Sequence, residues 1–104
     1  MTTRILIMGL PGSGKTFLSN ELKQQLESVN KTVKWLNADE VRSSFNDWDF
    51  SIEGRIRQSE RMKMLADNSV MDFTIADFVA PLPEMRNIFN ADLVIWVKIG
   101  RAHV

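Results

Sequence analysis

The sequence predicts an α/β fold, a three-layer sandwich in which a parallel sheet of four strands carries helices on both faces. Three observations lead there. Strand-like and helix-like segments alternate along the 104 residues. The first strand is a continuous apolar run, Ile5-Leu6-Ile7-Met8, as expected for a strand buried on both faces of a parallel sheet. A glycine-rich loop joins that strand directly to the first helix.

Each element has its own signal. Lys15 to Val29 reads as a helix, because Leu18, Leu22, Leu26 and Val29 form one apolar stripe, and Asn30 is a stop. Thr32 to Asn37 alternates, with Val33 and Trp35 on one face and Lys34 and Leu36 on the other. Asp39 is placed to cap a short helix running through Ser44. An aromatic-rich loop follows from Phe45 to Phe50, and Phe45 is expected in a small satellite core beneath it. Ser51 caps a longer helix running to about Asn68. Phe73 to Val79 is the third strand, ended by Pro81 and Pro83. A turn of helix covers Glu84 to Phe89, and Leu93 to Val97 is the fourth strand.

Composition narrows the range of functions. Lys plus Arg and Asp plus Glu number 13 each, so the chain has no global electrostatic footprint for nucleic acid or for an anionic membrane. There is no cysteine and one histidine, His103, which removes disulfides, thiolate metal sites and histidine relays. Ile5 to Met8 is too short to span a bilayer and runs into the glycine loop, unlike a signal peptide. One small cytoplasmic domain is the expectation.

Gly9-Leu10-Pro11-Gly12-Ser13-Gly14-Lys15-Thr16 has the Walker A spacing, which makes the expected fold that of a P-loop nucleotide-binding domain. Glycines let backbone N–H groups approach phosphate oxygens with no Cβ in the way. The helix starting near Lys15 points its positive end at the same anion. Lys15 is expected on the β- and γ-phosphates of ATP, and Thr16 offers a hydroxyl to Mg²⁺.

Phosphoryl transfer also needs a carboxylate near the acceptor hydroxyl. In parallel sheets, ligand groups gather at the carboxyl ends of strands. Asp39 follows the second strand and Asp77 lies near the end of the third. Asp39 is a candidate catalytic acid and metal ligand as well as a candidate cap. Asp77 interrupts an apolar strand, so either Mg²⁺ or a hydrogen bond to the glycine loop is its expected partner.

Taken in order, Gly9 to Thr16, Leu36-Asn37-Ala38-Asp39-Glu40-Val41-Arg42, Asp49-Phe50-Ser51 with Arg55 and Arg61, and Val79-Ala80-Pro81 resemble the motifs of adenylylsulfate kinases. The resemblance covers Ile5 to Val97. It implies transfer of the ATP γ-phosphate to the 3′-hydroxyl of adenylylsulfate with Mg²⁺, in sulfate assimilation. It further implies that Asp39 lies near Mg²⁺ and the acceptor hydroxyl, that Arg42 and Arg55 hold the acceptor, and that Phe50 stacks on its adenine. The chain departs from the family pattern at Asn37, Ala38, Trp48, Gln58, Asp77 and Ala80, all on the acceptor side. Arg57 and Arg61 read as surface residues in helix-face ion pairs.

The family also uses a lid and an adenine-gripping segment beyond the fourth strand, so the chain reads as the N-terminal part of a kinase. Residues 1–98 are expected to be the kinase domain, leaving part of the fourth strand bare. Ile99 to Val104 resembles translated sequencing-adapter sequence and is expected to be an artefactual or disordered tail. The full-length protein is expected to act on a small molecule and to be capable of forming a homodimer. A kinase of another acceptor (a sugar, a nucleoside or a polynucleotide end) and a non-catalytic nucleotide-binding module stay open as alternatives.

Overall fold

A computed structural model describes residues 2–10, 12–79, 83–98 and 101–103. The chain order is β1 (Thr3–Met8), α1 (Lys15–Ser28), β2 (Val33–Asn37), α2 (Ala38–Phe45), α3 (Ile52–Asp67), β3 (Phe73–Asp77), α4 (Pro83–Phe89), β4 (Leu93–Lys98) and β5 (Arg101–His103). The sheet order is β2-β3-β1-β4-β5. β1 pairs in parallel with β3 and β4, and β2 pairs in parallel with β3. The four expected parallel strands are therefore present. In addition, β5 lies in the segment read as a tail and pairs antiparallel with β4. Residues 99, 100 and 104 of that segment lie outside the described residues.

Side-chain alternation along the strands builds two cores. Ile5, Ile7, Val33, Ile75 and Val97 face one way, with Leu18, Leu22 and Leu26 of α1 packed on them. Leu6, Met8, Leu36, Ala76 and Phe78 face the other way, against Val41 of α2, Met62 and Ala66 of α3, and Met85 and Phe89 of α4. These two layers around one sheet are the three-layer sandwich read from the sequence. Burial of each large apolar side chain here contributes roughly 1.5–3 kcal/mol. Leu93 and Trp96 of β4 are 38% and 44% exposed, matching the expectation that this strand is partly bare.

Two boundaries differ from the sequence reading. Asn37, not Asp39, caps α2: its backbone is extended and its Oδ1 accepts from the Glu40 N–H at 3.2 Å. Asp39 falls inside the first turn, where its charge still favours the helix dipole. β3 ends at Asp77, two residues before the expected Val79. Pro81 lies outside the described residues, and Pro83 opens α4, a position where the missing N–H costs nothing.

The topology fixes where a ligand belongs. β1 continues through α1 toward β2 on one side, whereas β3 continues through α4 to β4 on the other. The two neighbouring strands thus send their connections in opposite directions. The crevice above their carboxyl ends is the binding position of open α/β sheets. Gly9 and Phe78 sit at its mouth, where the Phe78 N–H donates to the Ile7 carbonyl at 3.2 Å.

Candidate active site

The glycine loop fills one side of this crevice. Gly12 and Gly14 have φ of 79° and 99°, left-handed values that a side chain would strain. The Ser13 N–H donates to the Leu10 carbonyl at 3.1 Å, which closes the turn. α1 then starts with Gly14 at its cap position, with no side-chain cap and no acid in its first turn. The N–H groups of a helix's first turn have no partner within the helix. The Ser13 hydroxyl is buried inside the loop and has no hydrogen-bond partner among the described residues. A buried orphan hydroxyl beside an uncapped helix end is a cradle shaped for an anion. Lys15 Nζ folds over the loop and donates to the Leu10 carbonyl at 3.3 Å. Of the loop residues read from the sequence, Pro11 lies outside the described residues.

On the other side, a cavity of about 250 Å³ is lined by Leu10, Ala38, Asp39, Arg42, Phe50, Arg55, Gln58, Phe78 and Val79. The structure therefore gathers Asp39, Arg42, Phe50 and Arg55 around one space bordered by the glycine loop. Asp39 is exposed at the start of α2. Arg42 is buried, and its Nη1 donates to the Asp47 and Asp49 carbonyls at 3.2 and 3.1 Å. Its guanidinium lies 4.4 Å from the Phe50 ring centre. Burial lowers the Arg42 pKa, Asp47 opposes that, and the charges of Arg61 and Arg55 add to the lowering. Phe50 itself is 56% exposed, so part of its ring remains accessible. Arg55 Nε donates to the Phe50 carbonyl at 2.9 Å.

Asp77 does not line this cavity. Its side chain lies on the α1 face of the sheet, in register with Asn37, and is buried. Among the described residues its hydrogen-bond donors do not come from the glycine loop. Trp35 Nε1 donates to Asp77 Oδ2 at 2.6 Å, and Asn37 Nδ2 donates to Oδ1 at 3.2 Å. Burial raises the carboxyl pKa above the usual range, against hydrogen bonds from Trp35 and Asn37, the nearby Ser19 hydroxyl and the charge of Lys15. Asn37 thus works at both ends, capping α2 through Oδ1 and bridging to β3 through Nδ2.

The donor set suits magnesium. Mg²⁺ takes hard oxygen ligands, usually one or two from protein, with phosphates and waters completing the octahedron. Thr16 offers an exposed hydroxyl at the start of α1, and Asp39 and Asp77 offer carboxylates. Among the described residues no three His, Cys, Asp or Glu cluster as a dedicated cage. A carboxylate has about four acceptor sites, so Asp77 keeps capacity beyond its two donors.

Two sequence expectations fail in the wall of the cavity. Phe45 is not in a satellite core; it is 47% exposed and lies under the Arg61 guanidinium, 4.9 Å from its ring centre. Among the described residues Arg57 and Arg61 make no ion pairs along the face of α3. Both reach back to Asp47, because loop 46–51 folds against α3. Phe78 was not singled out from the sequence, although it directly follows a strand end, the position where sites are expected.

Fold and loop together define a P-loop nucleotide-binding domain with an adjoining arginine- and aromatic-lined cavity. The profile of the adenylylsulphate kinase family matches residues 1–95, and the chain belongs to that family. It is 33% identical over 89 residues to a probable adenylyl-sulfate kinase of Aeropyrum pernix, covering 81% of this chain and 48% of the relative. It is 32% identical over 88 residues to an adenylyl-sulfate kinase of Clostridium kluyveri, covering 80% of this chain and 43% of the relative. The chain thus spans a little under half the length of these curated relatives. In structure it is similar to the Mycobacterium tuberculosis APS kinase CysC, solved in complex with AMPPNP and APS. The TM-score is 0.79 at 21% identity, over 91% of this chain and 61% of that one.

Proposed function

We propose that this chain forms the phosphate-binding and acceptor-binding part of an ATP-dependent kinase that phosphorylates the 3′-hydroxyl of adenylylsulfate or a close analogue. The observation that carries the reading is the uncapped, serine-lined glycine loop opening beside a cavity that presents Asp39, Arg42, Phe50 and Arg55. In this reading Gly9 to Thr16 holds the ATP phosphates, with Lys15 neutralising charge that builds on the transferred group. Asp39 orients the acceptor hydroxyl and takes its proton. Arg42 and Arg55 face the acceptor's phosphate and sulfate oxygens, for which a guanidinium fork is suited. The free part of the Phe50 ring offers a stacking surface for a purine. Thr16, Asp39 and Asp77 would hold Mg²⁺ directly or through its waters, and the ion would supply neutralisation of the phosphate charge.

The same reading gives a small-molecule acceptor rather than nucleic acid, a cytoplasmic location and a homodimer for the full-length protein. Among the described residues no helix is long and apolar enough to cross a membrane. A second reading, a different acceptor, is favoured by Gln58. Its Nε2 donates to the Ala38 carbonyl at 3.0 Å and its Oε1 accepts from Arg61 at 3.2 Å, so both ends of this cavity residue are committed. The test is acceptor-stimulated ADP release with Mg-ATP across adenylylsulfate, nucleosides, sugars and polynucleotide ends. Stimulation by adenylylsulfate alone is expected. Stimulation by another member moves the assignment to that acceptor. Tight ATP binding without stimulation by any of them leaves a nucleotide-binding module.

A further inference from the structure

Loop 46–51 carries Phe50 into the cavity, yet no strand or helix contains it. Something else must hold it. Asp47 is the hub. Its Oδ2 accepts from Arg57 Nε at 3.1 Å and also from Arg61 Nη2. Its Oδ1 accepts from the Asp49 N–H at 3.1 Å. Its own carbonyl accepts from Arg42, and its N–H donates to the Arg42 carbonyl at 3.1 Å. Asp49 extends the brace, taking Arg57 Nη2 at 2.9 Å and the Ser51 N–H at 2.9 Å.

Surface ion pairs usually contribute little, because water screens them and long side chains lose freedom. This pair is different in one respect. The Asp47 and Arg61 side chains are only 16% and 15% exposed, so the contact is largely shielded. A carboxylate shared by two guanidiniums and a backbone N–H makes charge-assisted bonds in fixed directions. Among the described residues, every bond of this carboxylate goes to α3 or to its own loop, and Asp47 does not line the cavity.

We propose that Asp47 is a positioning residue: it clamps loop 46–51 to α3 and so fixes the Phe50 ring and the Arg42 guanidinium, 4.4 Å apart, as a preformed site for an acceptor with an aromatic base and an anionic group. The proposal rests on the acceptor assignment made above. It adds that acceptor affinity depends on a carboxylate that never touches the acceptor. Preorganisation is the physical reason, since a loop already held in its bound form has less ordering left to lose on binding.

The test uses the full chain, with Asp47→Asn and, as a control, Asp67→Asn. Asp67 is also paired with two cations, Arg4 and Lys63, but Arg4 lies on β1 and Lys63 near the far end of α3. Calorimetry gives the affinities for adenylylsulfate and Mg-ATP separately, and hydrogen exchange read by mass spectrometry gives the order of residues 46–51. Asp47→Asn should weaken adenylylsulfate about tenfold, the size of one charge-assisted hydrogen bond. Mg-ATP affinity should stay within twofold and exchange in 46–51 should accelerate. Asp67→Asn should change none of these. Unchanged adenylylsulfate affinity in Asp47→Asn overturns the proposal, as does an equal loss for both ligands. If wild type binds no adenylylsulfate, the acceptor assignment fails instead. Asp47 is then judged on exchange alone: faster exchange in 46–51 supports the clamp, and unchanged exchange removes it.

Discussion

Across the cavity, the two walls hold their binding groups by different means. In the glycine loop the inward groups are main-chain N–H donors of an uncapped helix and one serine hydroxyl, and left-handed glycines set the shape. In the opposite wall they are arginine and phenylalanine side chains, on and against a loop that carboxylates brace to α3. The helices next to each wall make the same point. α1 starts without a cap, whereas α2 and α3 start with Asn37 and Ser51 accepting from the N–H of Glu40 and Gly54. Of these three helices, α1 alone leaves its N-terminal donors for something else. A main-chain site depends on a few local torsions, and a side-chain site depends on partners that the fold must bring together.

The largest expected effect breaks the first wall. On the proposed reading Lys15→Ala removes a charge-assisted contact to phosphate, and it should weaken ATP by roughly 10- to 100-fold. Adenylylsulfate affinity should barely change. Paired calorimetric titrations check this, and equal ATP affinity in variant and wild type would contradict the assignment of the loop.

A smaller effect is expected in the second wall from Gly54→Ala. A Cβ at Gly54 would sit 2.2 Å from the Asp49 carbonyl oxygen, so the loop carrying Phe50 must shift. Overpacking of this kind costs about 1–3 kcal/mol. Thermal unfolding should show that loss, and adenylylsulfate should weaken while ATP does not. A variant with wild-type adenylylsulfate affinity would mean that the loop position does not govern the acceptor.

This asymmetry explains what could be read in advance. The strands and helices were legible because their periods are local: Ile5 to Met8 runs apolar, and Leu18, Leu22 and Leu26 recur at helical spacing. Gly9 to Thr16 was legible because its geometry is written in glycine positions. The bracing was not. Asp47 finds Arg57 and Arg61 ten and fourteen residues onward, and Trp35 finds Asp77 forty-two residues onward. No spacing rule announces such pairs, because they follow from how loop 46–51 folds on α3 and how β2 registers with β3. The cap of α2 went to Asn37 rather than Asp39 for a similar reason: both can cap, and only the strand's end point chooses between them.

The smallest expected effect, in pH dependence, separates the two buried or shielded acids. Asp47 is held well below the usual carboxylate range by hydrogen bonds from Arg57, Arg61 and the Asp49 N–H, with the charge of Arg57 adding to them. A group depressed in the folded state contributes stability above its unfolded pKa of about 4 and loses it as pH falls. Asp77 is raised by burial, so its sign is opposite. Its contribution is present at low pH, below the unfolded value, and is lost as pH climbs through the folded value. Removing each charge should therefore tilt the stability profile in opposite directions. Asp47→Asn should lose less Tm than wild type on going from pH 5 to pH 3. Asp77→Asn should lose less than wild type on going from pH 4 to pH 8. Calorimetric scans at the two ends of each pH range check either tilt. Parallel profiles for Asp77→Asn and wild type would mean that Asp77 is not held at a desolvation cost.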